Sequence, residues 1–170
     1  MDNFEIIFKN FLKKNLNTFI NDELLKYKKM IRNSHFFDNK KNKDLTVEEV
    51  SDFANVLDSK STGFISFSKL KMGVFLNSVV VVFSFDELNG DIVINLKKDS
   101  IFEGEKAEII SRCEKILKKV LELKNKYSIP VILIGLEPAE DEDTCLLKID
   151  TGDIDLAKAV IKIISCELGD

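Results

Sequence analysis

The hydrophobic positions of this chain change their period along its length, and the changes predict its elements. Phe4, Ile7, Phe8, Phe11 and Leu12 recur at helical spacing, and Leu24, Leu25, Lys28 and Ile31 continue a second, weaker stripe. The spacing predicts two helices within residues 1–44, with the polar segment SHFFDNKKNKD (34–44) as a linker to the rest. A third helix is expected from about 47 to 57. Thr46 and Glu49 form a capping box, and Val50, Phe53, Ala54 and Leu57 supply an apolar stripe.

Between residues 63 and 97 the period becomes two. Ser68-Lys69, Asn77-Ser78 and Asn89-Gly90 read as two-residue hairpin turns, and Asn-Gly is the strongest because a type I′ turn needs positive φ at both central positions. These turns pair Phe67 with Leu70 and Ile65 with Met72, then Leu76 with Val79, Val74 with Val81 and Met72 with Phe83. The last turn pairs Phe85 with Ile94 and Phe83 with Leu96. All three registers put one apolar set on one face, which predicts a four-stranded meander. After Ser100, Ile110, Cys113, Leu117 and Val120, with Ile109, Ile116 and Leu123 beside them, predict a helix ending near Ser128. IPVILIGL and TCLLKID then form a second hairpin around the acidic EPAEDED. A last helix from about 153 carries Leu156, Ala157, Val160, Ile161 and Ile164. The expected fold class is α+β: an antiparallel sheet of a four-stranded meander plus a second hairpin, packed with helices. Residues 45–170 form this α-ββββ-α-ββ-α domain, and residues 1–44 a Lys-rich helical N-terminal extension.

The chain has 170 residues, 45% of them apolar, enough for one core. Its net charge of -4 is unevenly placed: residues 1–44 hold ten Lys/Arg against six Asp/Glu, and residues 45–170 hold fifteen against twenty-three. An acidic body lacks the field that phosphate backbones need, which argues against nucleic acid as a partner. The Lys-rich head reads as a solvated helical face. Cys113, Cys145 and Cys166 are odd in number, widely spaced and set among apolar neighbours, so they read as reduced packing residues of a cytoplasmic protein. MDNFEIIFKNFLKKN interleaves acids and lysines with its apolar residues, unlike a signal peptide. The longest apolar run, VFLNSVVVVF, is broken by Asn77 and Ser78, so no membrane span is expected.

Little in the chain carries chemistry. DSKSTGFISFSK (58–69) has the Asp, Gly and apolar positions of a calcium loop in Asp58, Gly63 and Ile65, but Lys60 and Lys69 stand where carboxylates are needed. No calcium site is expected there, and Gly63 is read as leading into a strand. His35 is the single histidine, taken to anchor a loop beside Phe36 and Phe37, and no nucleophile elbow accompanies it. The glycines at 104, 135, 152 and 169 are isolated, and no phosphate-binding loop occurs. No catalytic residue, metal ligand or cofactor is assigned, and the expectation is a non-enzyme. The acidic cluster Glu137, Glu140, Asp141, Glu142 and Asp143 reads as a solvated hairpin loop, or as a surface for a basic partner. The outer face of the meander is unusual in carrying Phe64, Phe75, Val80, Val82 and Val93, with Leu146 from the later strand. Such a face must be covered, either by the chain's own helices or by a partner.

From residue 46 onward the order of elements resembles the class I type III secretion chaperones. The residues that carry the resemblance are GFISFSKLKMGVFLNSVVVVFSFDELNGDIVINL, then GEKAEIISRCEKILKKVLELKNKYS, then PVILIGL with TCLLKID, and DIDLAKAVIKIIS. The resemblance implies a small acidic homodimer without enzymatic activity that binds an extended protein client. By position it assigns Ile109, Ile116 and Leu123 to a dimer helix, and Phe53, Val80 and Val82 to the client surface. The partner-binding set expected from sequence is therefore Phe53, Phe64, Phe75, Val80, Val82 and Val93. An alternative reading is an immunity protein that neutralises one toxin, with the acidic loop 137–143 facing a basic toxin surface. An enzyme with an unrecognised site is the third.

Overall fold

In the computed structural model the described residues are 3–58, 60–150 and 153–168, the side chains of 166–168 excepted. Cys166, Gly152 and Gly169 lie outside the described residues or side chains. Eight strands form one antiparallel sheet: β1 (Asn3–Leu12), β2 (Ile31–Asp38), β3 (Lys43–Leu45), β4 (Ser61–Met72), β5 (Val74–Phe85), β6 (Asn89–Lys97), β7 (Val131–Leu136) and β8 (Cys145–Ile149). Their spatial order is β3-β2-β4-β5-β6-β1-β7-β8. Five helices accompany them: α1 (Leu16–Phe19), α2 (Phe53–Val56), α3 (Asp99–Phe102), α4 (Lys106–Tyr127) and α5 (Leu156–Leu168). No helix of the described residues is long and apolar enough to cross a membrane.

The largest departure from the sequence reading is the head. Residues 3–12 form a strand near the middle of the sheet, hydrogen-bonded on both sides. Ile6 lies opposite Ile94 of β6 and Ile134 of β7, and Phe8 lies opposite Ile92 and Ile132. A strand covered on both faces reads as a nearly continuous apolar run, and NFEIIFKNFL meets the helical and the buried-strand patterns equally well. Its five Phe and Ile residues favour the strand, and its two partner edges supply the backbone hydrogen bonds that a helix would have made internally. Residues 13–30 are helical, as short turns that bury Leu16, Phe19, Ile20 and Leu24. The expected linker 34–44 instead contributes to β2 and β3.

The meander is also rearranged. β4 and β5 run straight through Ser68-Lys69 and Asn77-Ser78, and the hairpin turns at Gly73, with Met72 opposite Val74 and Ile65 opposite Val81. Three long strands replace four short ones. Gly73 has φ +80°, and a Cβ there would lie 2.1 Å from the Lys115 carbonyl oxygen of α4, so the turn needs glycine twice over. The buried positions change from odd to even at Ser68, and from even back to odd at Ser78, which has φ 54°. That kink lets Ile65 and Phe67 share an inner face with Leu70 and Met72. The last hairpin closes at Glu87-Leu88, because Phe85 pairs with Gly90 and the Asp86 amide donates to Asn89 O at 2.9 Å. The helix expected from 47 to 57 is a 3-10 turn at Val47–Glu49, which has the predicted capping box, followed by the single-turn α2.

The inner face of the sheet carries Ile65, Phe67, Val79, Val81, Phe83, Ile92 and Ile94, all fully buried beneath the helices. α4 opens with a capping box between Glu105 and Glu108 and ends at Ser128 in the left-handed region. Its buried stripe includes Ile109, Ile116 and Leu123, the three residues the resemblance assigned to a dimer contact. They pack into the core of their own chain and present nothing to a second copy.

Candidate partner-binding face

On the outer face of the sheet, side chains opposite one another form a single row. His35 on β2 faces Phe64 on β4, Phe64 faces Val82 on β5, and Val82 faces Val93 on β6. Val93 then faces Ile7 on β1, and Ile7 faces Leu133 on β7. A second row holds Ser66, Val80, Asn95, Glu5 and Gly135. Phe64, Val80, Val82 and Val93 are half-buried, shielded by their neighbours within the sheet, and they line the part of this face that stays open. The His35 ring stacks on Phe64 with centroids 6.1 Å apart, and its Nε2 lies 2.7 Å from Asp44 Oδ1. His35 thus belongs to a strand, not to an anchoring loop. A shallow hollow of about 290 Å³ lies among His35, Thr62, Gly63, Phe64, Val80 and Val82.

The other half of the same face is roofed by the acidic loop. Along β1 the outward positions are Asn3, Glu5, Ile7 and Lys9, and the loop is tied to three of them. Asn3 Nδ2 donates to Glu137 Oε2 at 2.6 Å, the Ala139 amide donates to Glu5 Oε2 at 2.9 Å, and Lys9 Nζ donates to Glu140 Oε1 at 2.6 Å. Lys9 also donates to Asp91 Oδ2 at 2.5 Å. Ala139 is fully buried, and Ile7 is buried between the tied residues. The Thr144 and Cys145 amides close the loop onto Asp141 O. The segment is therefore a pinned wall and not a free solvated hairpin, although Glu140, Asp141, Glu142 and Asp143 remain exposed on it.

This arrangement perturbs the charged groups beneath the wall. Burial pushes the Glu5 carboxyl above its usual range. The nearby Glu137 and Glu140 charges push the same way, and the Ala139 amide opposes them. Burial alone would lower Lys9, but its bonds to Asp91 and Glu140 outweigh that and hold it above the ordinary lysine value.

The remaining expected site residues are scattered. Phe53 is buried, its ring edge-on to Phe36 at 5.3 Å, so it belongs to the core and not to a client surface. Phe75 is 56% exposed but sits beyond the kink, against Tyr27 at 6.3 Å with Lys71 Nζ over its ring. Leu146 is buried. Asp58, the first residue of the calcium-like loop, has Lys40 at 3.2 Å and Lys13 at 3.8 Å. Among the described residues, no group of His, Cys, Asp and Glu is arranged to hold a metal ion. Ile7, Leu133, Asn3, Glu5 and Lys9 were not legible as part of this face, because reading 1–44 as helices separated β1 from the sheet. A second apolar surface lies on the helical side, a groove of about 560 Å³ between α4 and α5 lined by Ile110, Val160, Ile161 and Ile164.

Comparison with known proteins identifies the family. No curated protein matches the chain. It is similar to a chain in the crystal structure of the toxic C-terminal tip of CdiA from Pseudomonas aeruginosa in complex with an immune protein. The TM-score is 0.67 at 15% identity, covering 90% of this chain and 98% of that one, a likeness of fold. The family model described as PABL017 Cdi1I immunity protein matches residues 2–152. That match overturns the resemblance to type III secretion chaperones, and with it the client-masking function. The chaperone reading treated residues 1–44 as an addition, whereas the matched span starts at residue 2 and takes in β1, a strand inside the sheet. The chain belongs to the PABL017 Cdi1I immunity protein family.

Proposed function

We propose that this chain neutralises a toxic CdiA C-terminal tip by direct, stoichiometric binding, without catalysis. The observation that carries the proposal is the apolar row on the outer sheet face, where Phe64, Val82 and Val93 lie side by side and remain partly exposed. Monomeric proteins avoid contiguous exposed apolar patches unless they bind something there. The scale is also suitable. From β2 to β6 the open part of the row crosses four strands, about 14 Å at about 4.8 Å per strand, which suits the apolar centre of a standard interface that buries about 800 Å² per partner. Neutralisation by occupancy needs no nucleophile or metal, only an affinity in the nanomolar range, about -12 kcal/mol. Action in the cytoplasm accords with the free thiols of Cys113 and Cys145.

The test is co-expression of the chain with the CdiA C-terminal tips encoded in the same genome. The proposal expects one tip to lose its toxicity and to elute with the chain as a complex of fixed stoichiometry. Rescue by no tip, together with no complex in gel filtration, would refute it.

A further inference from the structure

We infer that the toxin-facing surface is the open half of the outer sheet face together with the acidic loop as its wall, and that it receives a basic surface with an apolar centre. This rests on the toxin-binding reading above and specifies the surface and the chemistry of its occupant. The apolar row is open at Phe64, Val82 and Val93 and becomes buried at Ile7, the next position across the sheet. The wall therefore stands beside Val93, held at Asn3, Glu5 and Lys9. It carries Glu137, Glu140, Asp141, Glu142 and Asp143, while the Lys9 ammonium that faces it is shared with Asp91. The wall keeps a net negative charge, and the complement of a negative rim around an apolar centre is a positive rim around an apolar knob. Three anchors on one strand also pre-order the wall, so little loop entropy is lost on docking. The α4–α5 groove is the rival surface. Its rim carries both Lys106 and Glu114 and selects neither sign of charge.

The experiment measures binding of a CdiA C-terminal tip from the same genome to the full chain, at low and high salt. Val82→Lys and Val93→Lys alter the open face, the triple variant Asp141→Asn, Glu142→Gln, Asp143→Asn neutralises the wall, and Ile161→Glu alters the rival groove. The lysine variants are expected to bind about 100-fold more weakly, as for a charge placed in the buried centre of an interface. The wall variant should associate about tenfold more slowly at low salt, and its salt dependence should flatten, because steering by fixed charge is what salt screens. Its three side chains are exposed, so it remains informative even if a lysine variant fails to fold. Ile161→Glu should bind as the unaltered chain does. Unaltered binding by the face and wall variants, or loss confined to Ile161→Glu, overturns the surface alone. Failure of the unaltered chain to bind any such tip overturns the toxin-binding reading, and the surface with it.

Discussion

Glu23 shows how single residues tie the helical turns after β1 to α4. Its Oε1 accepts from Lys126 Nζ at 2.8 Å and from the Tyr127 hydroxyl at 3.1 Å, while Lys119 and Lys26 lie 3.1 and 3.4 Å from Oε2. Burial works to raise its pKa, but the bonds from Lys126 and Lys119 and the charges of Lys119 and Lys26 prevail and hold it at about 2. A depressed folded value means stability that is present above the unfolded value of 4.5 and is lost as pH falls towards about 2. The full loss should be on the order of 3 kcal/mol, of which about 2 kcal/mol falls between pH 7 and pH 3, where denaturant unfolding measures it. Glu23→Gln should be about 3 kcal/mol less stable at pH 7 and should lose much of this acid dependence; an unchanged dependence would mean other carboxylates dominate. Glu5 has the opposite sign. Its raised folded value favours the protonated form, so its contribution is full below the unfolded value of 4.5 and declines as pH rises through the folded one. Directly across from it in the register, Asn95 Oδ1 is buried without a hydrogen-bond partner, and a protonated carboxyl or an amide at position 5 offers a donor there. Glu5→Gln is therefore expected to raise the melting temperature at pH 7 and to give a smaller gain near pH 4. A variant less stable at pH 7 would refute this. Cys113 is simpler: burial pushes its thiol up to about 11, which should leave it slow towards thiol reagents until the chain unfolds.

At the scale of elements, two hairpins depend on glycine for different reasons. Gly73 combines positive φ with a Cβ position 2.1 Å from Lys115 O, so Gly73→Ala must separate the β4–β5 turn from α4 or strain its backbone. A loss of about 2 to 4 kcal/mol is expected, measured by chemical denaturation; a loss under about 0.5 kcal/mol would show that α4 yields freely. Gly90 is not at positive φ, so the type I′ argument for Asn89-Gly90 does not apply. A Cβ at Gly90 would instead meet Ser84 O at 2.3 Å and the Phe85 side chain at 2.5 Å across the strand pair. Gly90→Val remains a destabilising change, through a clash in the ladder and not through the turn. The inner-face residues expected from alternation are almost all buried, although the registers that predicted them are displaced. Face depends only on parity along a strand, whereas register depends on where the turn falls. Between Phe67 and Leu70 the kink reverses the parity, as the supposed Ser68-Lys69 turn would have done.

For the whole molecule, the position of β1 makes residues 3–12 part of the sheet interior. Deleting residues 1–12 should leave β6 and β7 without a common neighbour and abolish cooperative unfolding, as followed by circular dichroism; a truncated chain that melts near the full-length temperature would contradict this. It also explains how the candidate partner face was only partly legible. Phe64, Val80, Val82 and Val93 stood out because alternation placed apolar residues where a solvated face should be polar. The acidic loop stood out by composition. Neither signal could show that the two adjoin, because the join is made by Asn3, Glu5 and Lys9 on a strand far away in sequence. By itself the sequence determined what local physics dictates: the α+β class, helix α4 with its end near Ser128, the capping box of Thr46 and Glu49, strands β7 and β8, and which side chains of β4 to β6 face inward. Only the tertiary structure decided that NFEIIFKNFL is a strand, that the hairpins close at Gly73 and at Glu87-Leu88, and that the acidic loop walls the apolar row. The physical reason is that helix caps and side-chain alternation are set by neighbours a few residues away, whereas an apolar segment between two sheet edges takes its conformation from the hydrogen bonds those edges demand.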